Sequence, residues 1–372
     1  MAIPLRRVIS STSKIRVLVV DDSVVIRRLV AQALSEDPGI EVVGAAANGS
    51  IALQRIPQLN PDVITLDVEM PEMDGIETLR QIRKQYRDIR IIMFSTLTQR
   101  GAATTIDALM LGADDYVTKA ANVGKVSESL AALRGELVPR VNQFFVRKDG
   151  PAALAAAPAR HAGVPGSSTK AAPRIVPVFR PHLAAKIVAI GVSTGGPTAL
   201  SSIVPQFPAG FRLPIVIVQH MPPLFTRLLA ERLQKQTALK VVEGRDGDVV
   251  QPGTIYVAPG DYHMRVVRRH TDQVVLTLDQ APPENSCRPA VDVLFRSVQE
   301  VYGGHVVSVV LTGMGQDGLR GVEGLRGAGA RVIVQDEATS VVWGMPGAVA
   351  RANLADAIVG LHDVVPEILR YV

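Results

Sequence analysis

Two groups of residues in this chain are suited to chemistry, and they lie in different halves. In the C-terminal half, Gly191-Val192-Ser193-Thr194-Gly195 follows an apolar run, Ile187–Ile190, and precedes Gly196-Pro197 and an apolar segment through Leu200, Ile203 and Val204. This spelling fits a sharp strand-to-helix turn that lifts a serine hydroxyl above a sheet edge. Glycines there allow positive φ and keep Cβ atoms away from a substrate. A serine hydroxyl is a weak nucleophile without a base, and the same five residues also fit a phosphate-cradling loop or a plain turn. Two more apolar runs end in suitable groups. Ile215–Val218 leads into Gln219-His220-Met221-Pro222, and Val306–Leu311 into Thr312-Gly313-Met314-Gly315-Gln316-Asp317-Gly318. A neutral imidazole can take the serine proton, and a carboxylate can hold that imidazole in the needed tautomer. Taken singly, His220 also fits a buried structural histidine, and Asp317 a helix cap. His263 and His305 compete as bases, and His305 ranks last because it starts a strand. Cys287 has no Gly-rich turn around it and reads as a packed thiol.

In the N-terminal half the polar residues also fall at strand ends. Asp21 and Asp22 close the run Ile15–Val20, Asp67 closes Val63–Leu66, Ser95 closes Ile91–Phe94, and Lys119 follows the short run Asp115–Val117. Carboxylates crowded together repel unless a cation sits among them, and oxygen ligands with room for waters and a phosphate favour Mg²⁺. An aspartate can also act as a nucleophile and form an aspartyl phosphate. Lys119 would then pair with one phosphoryl oxygen and Ser95 would donate to another. Each residue alone reads as a helix cap or a surface charge; it is their joint placement that argues for a site.

The elements that must position these groups follow from hydrophobic periodicity. Through the first 134 residues, five short apolar strands alternate with five amphipathic helices, the first opened by Ser23 as N-cap. That alternation predicts an open parallel sheet whose ligands bind beyond the carboxyl ends of the strands. The C-terminal half repeats the α/β alternation, interrupted by short strands at Val241–Glu243, Thr254–Val257, Met264–Val267 and Val274–Leu278. The expected fold is therefore α/β with two doubly wound domains. One is an N-terminal five-stranded parallel, flavodoxin-like sheet; the other is mostly parallel with a β-hairpin-type insert. The expected boundaries are 15–134, a helix end and Ala/Pro-rich linker at 135–182, and 183–372. A tether of that composition spans on the order of 30 Å as a random coil. Met1–Lys14 reads as a disordered arm.

Composition sets outer bounds. The chain has 372 residues, 47% of them hydrophobic, enough for two cores, which Val, Ile, Leu and Ala must fill because aromatics are 4%. Its single cysteine rules out an intramolecular disulfide and suits a reducing cytoplasm. The histidines show no zinc-ligand spacing. A net charge of +5 is modest, and the basic run Arg265–His270 lacks interleaved aromatics, so nucleic-acid binding is not expected. No apolar run reaches the ~20 residues that span a bilayer, so no membrane insertion is expected.

The first-half residues resemble the receiver domain of two-component response regulators. The likeness is carried by Leu18-Val19-Val20-Asp21-Asp22-Ser23, by Leu66-Asp67-Val68-Glu69-Met70-Pro71-Glu72-Met73-Asp74-Gly75 and by Gly112-Ala113-Asp114-Asp115-Tyr116-Val117-Thr118-Lys119. It implies that Asp67 accepts phosphoryl from a histidine kinase. It also implies that Asp22, Asp67 and the Glu69 carbonyl hold Mg²⁺, with Asp21 acting through water, and that Ser95 and Tyr116 form a switch pair in which the ring turns inward. One departure is that Ala120 follows Lys119 where that family carries a proline with a cis bond. A non-proline cis bond costs ~2.5–4 kcal/mol, so this one is expected to be trans or strained. In the second half, Gly191–Gly196, Gln219-His220-Met221-Pro222, Ala258-Pro259-Gly260, Arg288-Pro289-Ala290-Val291-Asp292, Leu311–Gly318, Gln335-Asp336-Glu337-Ala338 and Trp343-Gly344-Met345-Pro346 are similar to the chemotaxis protein-glutamate methylesterases. That resemblance implies a Ser193–His220–Asp317 triad and hydrolysis of glutamate methyl esters on chemoreceptors, often with deamidation of receptor glutamines. It implies a cytoplasmic protein and no cofactor for the ester chemistry; the amides of Thr194 and Met314 are the candidate oxyanion donors. Three rivals remain at this level: a non-catalytic signalling adaptor, a DNA-binding regulator without a visible helix-turn-helix, and an esterase or amidase of another pathway.

Overall fold

A computed structural model describes residues 7–10, 13–96, 98–119, 126–147, 183–270 and 273–372. Residues 148–182 of the helix end and linker expected at 135–182, most of the N-terminal arm and the Lys119–Ala120 bond lie outside these residues. The first half opens with β1 (Arg7–Ile9) and then builds a five-stranded sheet from β2 (Ile15–Val20), β3 (Ile40–Ala46), β4 (Val63–Asp67), β5 (Arg90–Thr96) and β6 (Asp115–Lys119). The order is β3-β2-β4-β5-β6, with every neighbouring pair parallel. Parallel strands covered on both faces read as continuous apolar runs, and β4 is buried at every position. The helices between them are α1 (Val24–Ser35), α2 (Gly49–Leu59), α3 (Gly75–Gln85), α4 (Gln99–Met110) and α5 (Val126–Asn142). Ser23, Asn48, Asp74 and Thr98 cap the first four, each side chain accepting from a first-turn N–H.

One expectation needs correction here. The N-terminal arm is not wholly unstructured, since β1 pairs in parallel with β7 (Phe145–Arg147), the strand that follows the end of the last helix at Asn142. The extended backbone after that helix presents unpaired N–H and C=O groups, and the arm satisfies them. Neither partner signals the other in sequence, because they stand far apart in the chain.

The second half forms a seven-stranded sheet, all neighbours parallel. In chain order its elements are β8 (Ile187–Val192), α6 (Gly196–Ile203), β9 (Ile215–Gln219), α7 (Phe225–Gln234), β10 (Lys240–Glu243), β11 (Thr254–Val257), the antiparallel hairpin β12 (His263–Arg268) and β13 (Val274–Asp279), α8 (Val291–Tyr302), β14 (Val306–Val310), α9 (Leu319–Ala328), β15 (Arg331–Gln335), α10 (Met345–Arg351), β16 (Ala357–Val359) and α11 (Val364–Leu369). The order is β10-β11-β9-β8-β14-β15-β16. Alternate residues of β8, Ile187 and Ala189 against Val188 and Ile190, join separate cores on the two faces. One face is covered by α8, α9 and the hairpin through Leu294, Phe295, Val322 and Met264. The other is covered by α6, α7 and α11 through Leu200, Phe225, Leu229 and Ile368.

In both sheets the chain reverses its direction of growth beside the first core strand, and the carboxyl ends there open a crevice. In the receiver-like half that point lies between β2 and β4. In the C-terminal half it lies at β8, flanked by β9 and β14.

Candidate active site

Ser193, His220 and Asp317 follow β8, β9 and β14, three strands that lie side by side. Ser193 is held at the elbow by its own N–H to Thr312 O (3.0 Å) and by its carbonyl, which accepts from Gly196 N–H (2.8 Å). Gly195 takes φ 77°, the left-handed turn that a side chain resists. Gly313 passes so close that a Cβ there would lie 2.7 Å from Ser193 Cβ and 2.5 Å from Met345 Sδ. Backbone therefore walls Ser193 on that side.

His220 is fixed through its N–H to Val192 O (3.2 Å). Its Nε2 lies 2.8 Å from Asp317 Oδ2, which leaves Nδ1 as the nitrogen facing the cleft. Asp317 is 2% exposed and sits at the N-terminus of α8. It accepts from the N–H groups of Val291 (2.7 Å), Asp292 (3.0 Å) and Gly318 (3.0 Å). A helix N-terminus favours negative charge. Burial alone would push the Asp317 carboxyl up, but His220 and these amides outweigh it and hold the carboxyl below its ordinary range. Burial likewise disfavours a charged His220 ring, yet the hydrogen bonds of Asp317 and Cys287 prevail and raise the ring to about 10.

The competing bases have other partners. His263 spans Pro282 O and the Ala290 N–H at 3.2 Å each, and His305 contacts Ala184 O at the surface. Cys287 departs from its sequence reading: it is only half-buried, and its Sγ lies 3.5 Å from His220 Nδ1. Ser193, Thr194, His220, Cys287 and Met314 all line one cleft of about 590 Å³.

At the other sheet, carboxylate oxygens of Asp21, Asp22 and Asp67 lie within 4.8 Å of one another. Three hard oxygen donors in one crevice fit Mg²⁺. Lys119 Nζ bridges Asp21 (2.8 Å) and Asp67 (2.7 Å). Burial raises the Asp67 carboxyl to about 6; Lys119 pulls it back and Asp21 adds to the rise. Ser95 is buried at the end of the adjoining strand, and Glu69 lies just after β4.

Comparison with known proteins bears on both crevices. The family model of the CheB methylesterase matches residues 188–368, and that of the response regulator receiver domain matches residues 17–131. A protein-glutamate methylesterase/protein-glutamine glutaminase of Trichodesmium erythraeum is 52% identical over 96% of this chain and 99% of its own length. One from a Nocardioides species is 51% identical over 96% of this chain and 95% of its own. This chain belongs to the CheB methylesterase family. The crystal structure of the Thermotoga maritima CheB methylesterase catalytic domain is 41% identical, with a TM-score of 0.50 over 51% of this chain and all of its own.

In this CheB-family chain the receiver sits against the cleft. Tyr116, expected as the switch ring, is buried and stacks on Phe225 of α7 with centroids 4.9 Å apart. Burial raises its phenol well above the usual range. Thr194 Oγ1 donates toward Gln143 Oε1 (3.2 Å) and lies 3.5 Å from Asp115 Oδ2, while Thr198 Oγ1 donates to Leu109 O (2.5 Å). Arg232 grips Asp107 through two nitrogens, at 2.6 and 3.0 Å. The residues that sequence reasoning missed are Asn285, Asp292 and the orientation of Cys287. Asp292 stands inside a quoted motif but carried no role; Asn285 and Ser286 offered only a turn signal.

Proposed function

We propose that this protein hydrolyses the γ-methyl esters of glutamates on chemoreceptors, releasing methanol, and deamidates receptor glutamines, under control of phosphorylation at Asp67. The observation that carries the reading is the delivery of His220, Ser193 and Asp317 by three adjacent strands, with His220 Nε2 already on Asp317. Ser193 Oγ attacks the side-chain carbonyl as His220 Nδ1 takes its proton. The amides of Thr194 and Met314 face the oxygen that becomes negative, donors of a kind worth ~10²–10³ in rate each. His220 returns the proton to the departing methanol, or to ammonia from glutamine. Water, deprotonated by the same nitrogen, then cleaves the glutamyl-serine ester and restores Ser193. No cofactor enters these steps.

Asp22, Asp67 and the Glu69 carbonyl would hold Mg²⁺, with Asp21 through water, and the ion would supply charge neutralisation; Asp67 accepts phosphoryl from a histidine kinase. Lys119 and Ser95 receive the phosphoryl oxygens. The receiver then works as a lid: its Tyr116, Gln143 and Asp107 contacts hold it on the cleft, and phosphorylation loosens them. Among the described residues no helix is long and apolar enough to cross a membrane; a cytoplasmic location and action on the cytoplasmic parts of receptors fit the reading. The test is methyl release from membranes bearing methyl-labelled receptors, with and without a phosphodonor. Full-rate release by Ser193→Ala would end the serine-esterase reading. A fragment of residues 183–372 no faster than the unphosphorylated whole would end the lid.

A further inference from the structure

Asp317 does not stand alone. Asp292, 1% exposed, lies beside it at the start of α8, so two buried carboxylates share one pocket. Asp292 Oδ1 accepts from the Gly321 N–H (2.7 Å). Between the two carboxylates comes a single amide: Asn285 Nδ2 reaches Asp292 Oδ2 at 3.0 Å and Asp317 Oδ1 at 2.9 Å. Both neighbours are acceptors only, so the nitrogen must face them, with one hydrogen directed at each.

The loop is built to aim that amide. Glu284 and Cys287 exchange backbone hydrogen bonds (3.1 and 2.9 Å) around Asn285 and Ser286, which take φ 52° and 63°. Two successive left-handed residues make the tight two-residue turn in which asparagine is favoured. Arg296 anchors the turn on Glu284 through both its terminal nitrogens. The turn thus sets two side chains at once, Asn285 on Asp317 and Cys287 on His220 Nδ1.

We propose that Asn285 is a positioning residue for the base: it screens Asp292 from Asp317, keeps Asp317 aligned on His220, and thereby tunes the pH at which His220 can act. The inference rests on the triad reading above. Burial raises the Asp292 carboxyl, with Gly321 and Asn285 opposing and Asp317 adding to the rise. The charged or titratable groups facing Asp317 are His220, Asp292, Glu284, Arg296 and, across the ring, Cys287. Glu284 and Arg296 neutralise each other, so Asp292 is the uncompensated charge. Without the amide the potential at Asp317 and His220 turns more negative, and both hold their protons to higher pH.

The test uses the full chain with saturating phosphodonor and membranes bearing methyl-labelled receptors, each variant compared with wild type across a pH series. Asn285→Gly removes the amide while tolerating the positive φ. A hydrogen bond to a charged group carries about a tenfold effect or more, so kcat should fall about tenfold and the acid limb of kcat/KM rise by about one pH unit, with KM little changed. Adding Asp292→Asn removes the neighbouring charge and should bring the limb back down. A limb that stays in place in Asn285→Gly, whether or not the rate falls, overturns the proposal. So does a limb that rises and is not lowered by Asp292→Asn. Ser193→Ala is run alongside. If it keeps the wild-type rate, the triad itself fails and takes this inference with it. If it is inactive while Asn285→Gly matches wild type, only the role of Asn285 fails.

Discussion

The contact between Arg232 and Asp107 gives the sharpest test of the lid, because it joins the two halves without touching either site. Arg232 Nε and Nη2 reach the two Asp107 oxygens at 2.6 and 3.0 Å, and the side chains are 26% and 45% exposed. That exposure limits its worth. Solvent-accessible ion pairs measure ~0.2–1 kcal/mol, with two-point arginine contacts at the upper end. Losing about 1 kcal/mol of closed-state stability opens the lid about fivefold more often. Asp107→Ala and Arg232→Ala should therefore each raise methyl release by the unphosphorylated full chain, by up to about fivefold. The double variant should be no faster than either single one, since one contact is lost in all three. Phosphorylated rates should converge on wild type, because the lid is then already open. At 1 M salt the screening length is about 3 Å, and the difference between variants and wild type should narrow. Unchanged unphosphorylated rates in both single variants, or gains that multiply in the double variant, would refute the reasoning.

Other consequences are equally direct. Asp67→Asn should keep the basal rate and abolish its stimulation by a phosphodonor, measured as methanol release. In the proposed mechanism esterolysis needs the neutral His220 ring, so kcat/KM should climb as pH rises through the ring's raised value and stay low at the ordinary histidine value of about 6.5. Cys287→Ala removes one of the contacts that raise the ring, and the climb should move to lower pH in the same assay. Gly313→Ala forces a Cβ against Ser193 and Met345, which should lower the thermal midpoint by an overpacking cost of ~1–3 kcal/mol and depress kcat. An unchanged midpoint and rate would mean the elbow is not confined as described.

Much of this molecule was legible from local pattern. Strands β2, β4, β8, β9 and β14 are apolar runs buried on both faces, and such runs identify themselves without a partner. Each ends in a polar residue or runs into one within two residues, and a polar residue at or just past the carboxyl end of a parallel strand lies by the crevice. Fold class, the two crevices and the types of group in each follow from that. The boundaries of the N-terminal arm did not: a three-residue strand exists only because a distant segment offers it hydrogen bonds.

What only the tertiary structure decided is adjacency. Sequence places Ser193, His220 and Asp317 beyond the ends of three strands, but the order β9-β8-β14 makes those ends neighbours. It is the ring orientation of His220 that turns Nε2 to Asp317 and leaves Nδ1 on the side of Cys287 and the cleft. The partners of the two rings also differ only in three dimensions: His263 is tied to Pro282 and Ala290, while His220 meets Asp317. Asn285, Asp292 and Cys287 lie on a loop and a helix start, elements whose direction no periodicity encodes. They enter the site through contacts spanning tens of residues, such as Asn285 on Asp317. Local chemistry along a chain specifies which groups are available; only the closure of loops and the stacking of sheets specifies which of them meet.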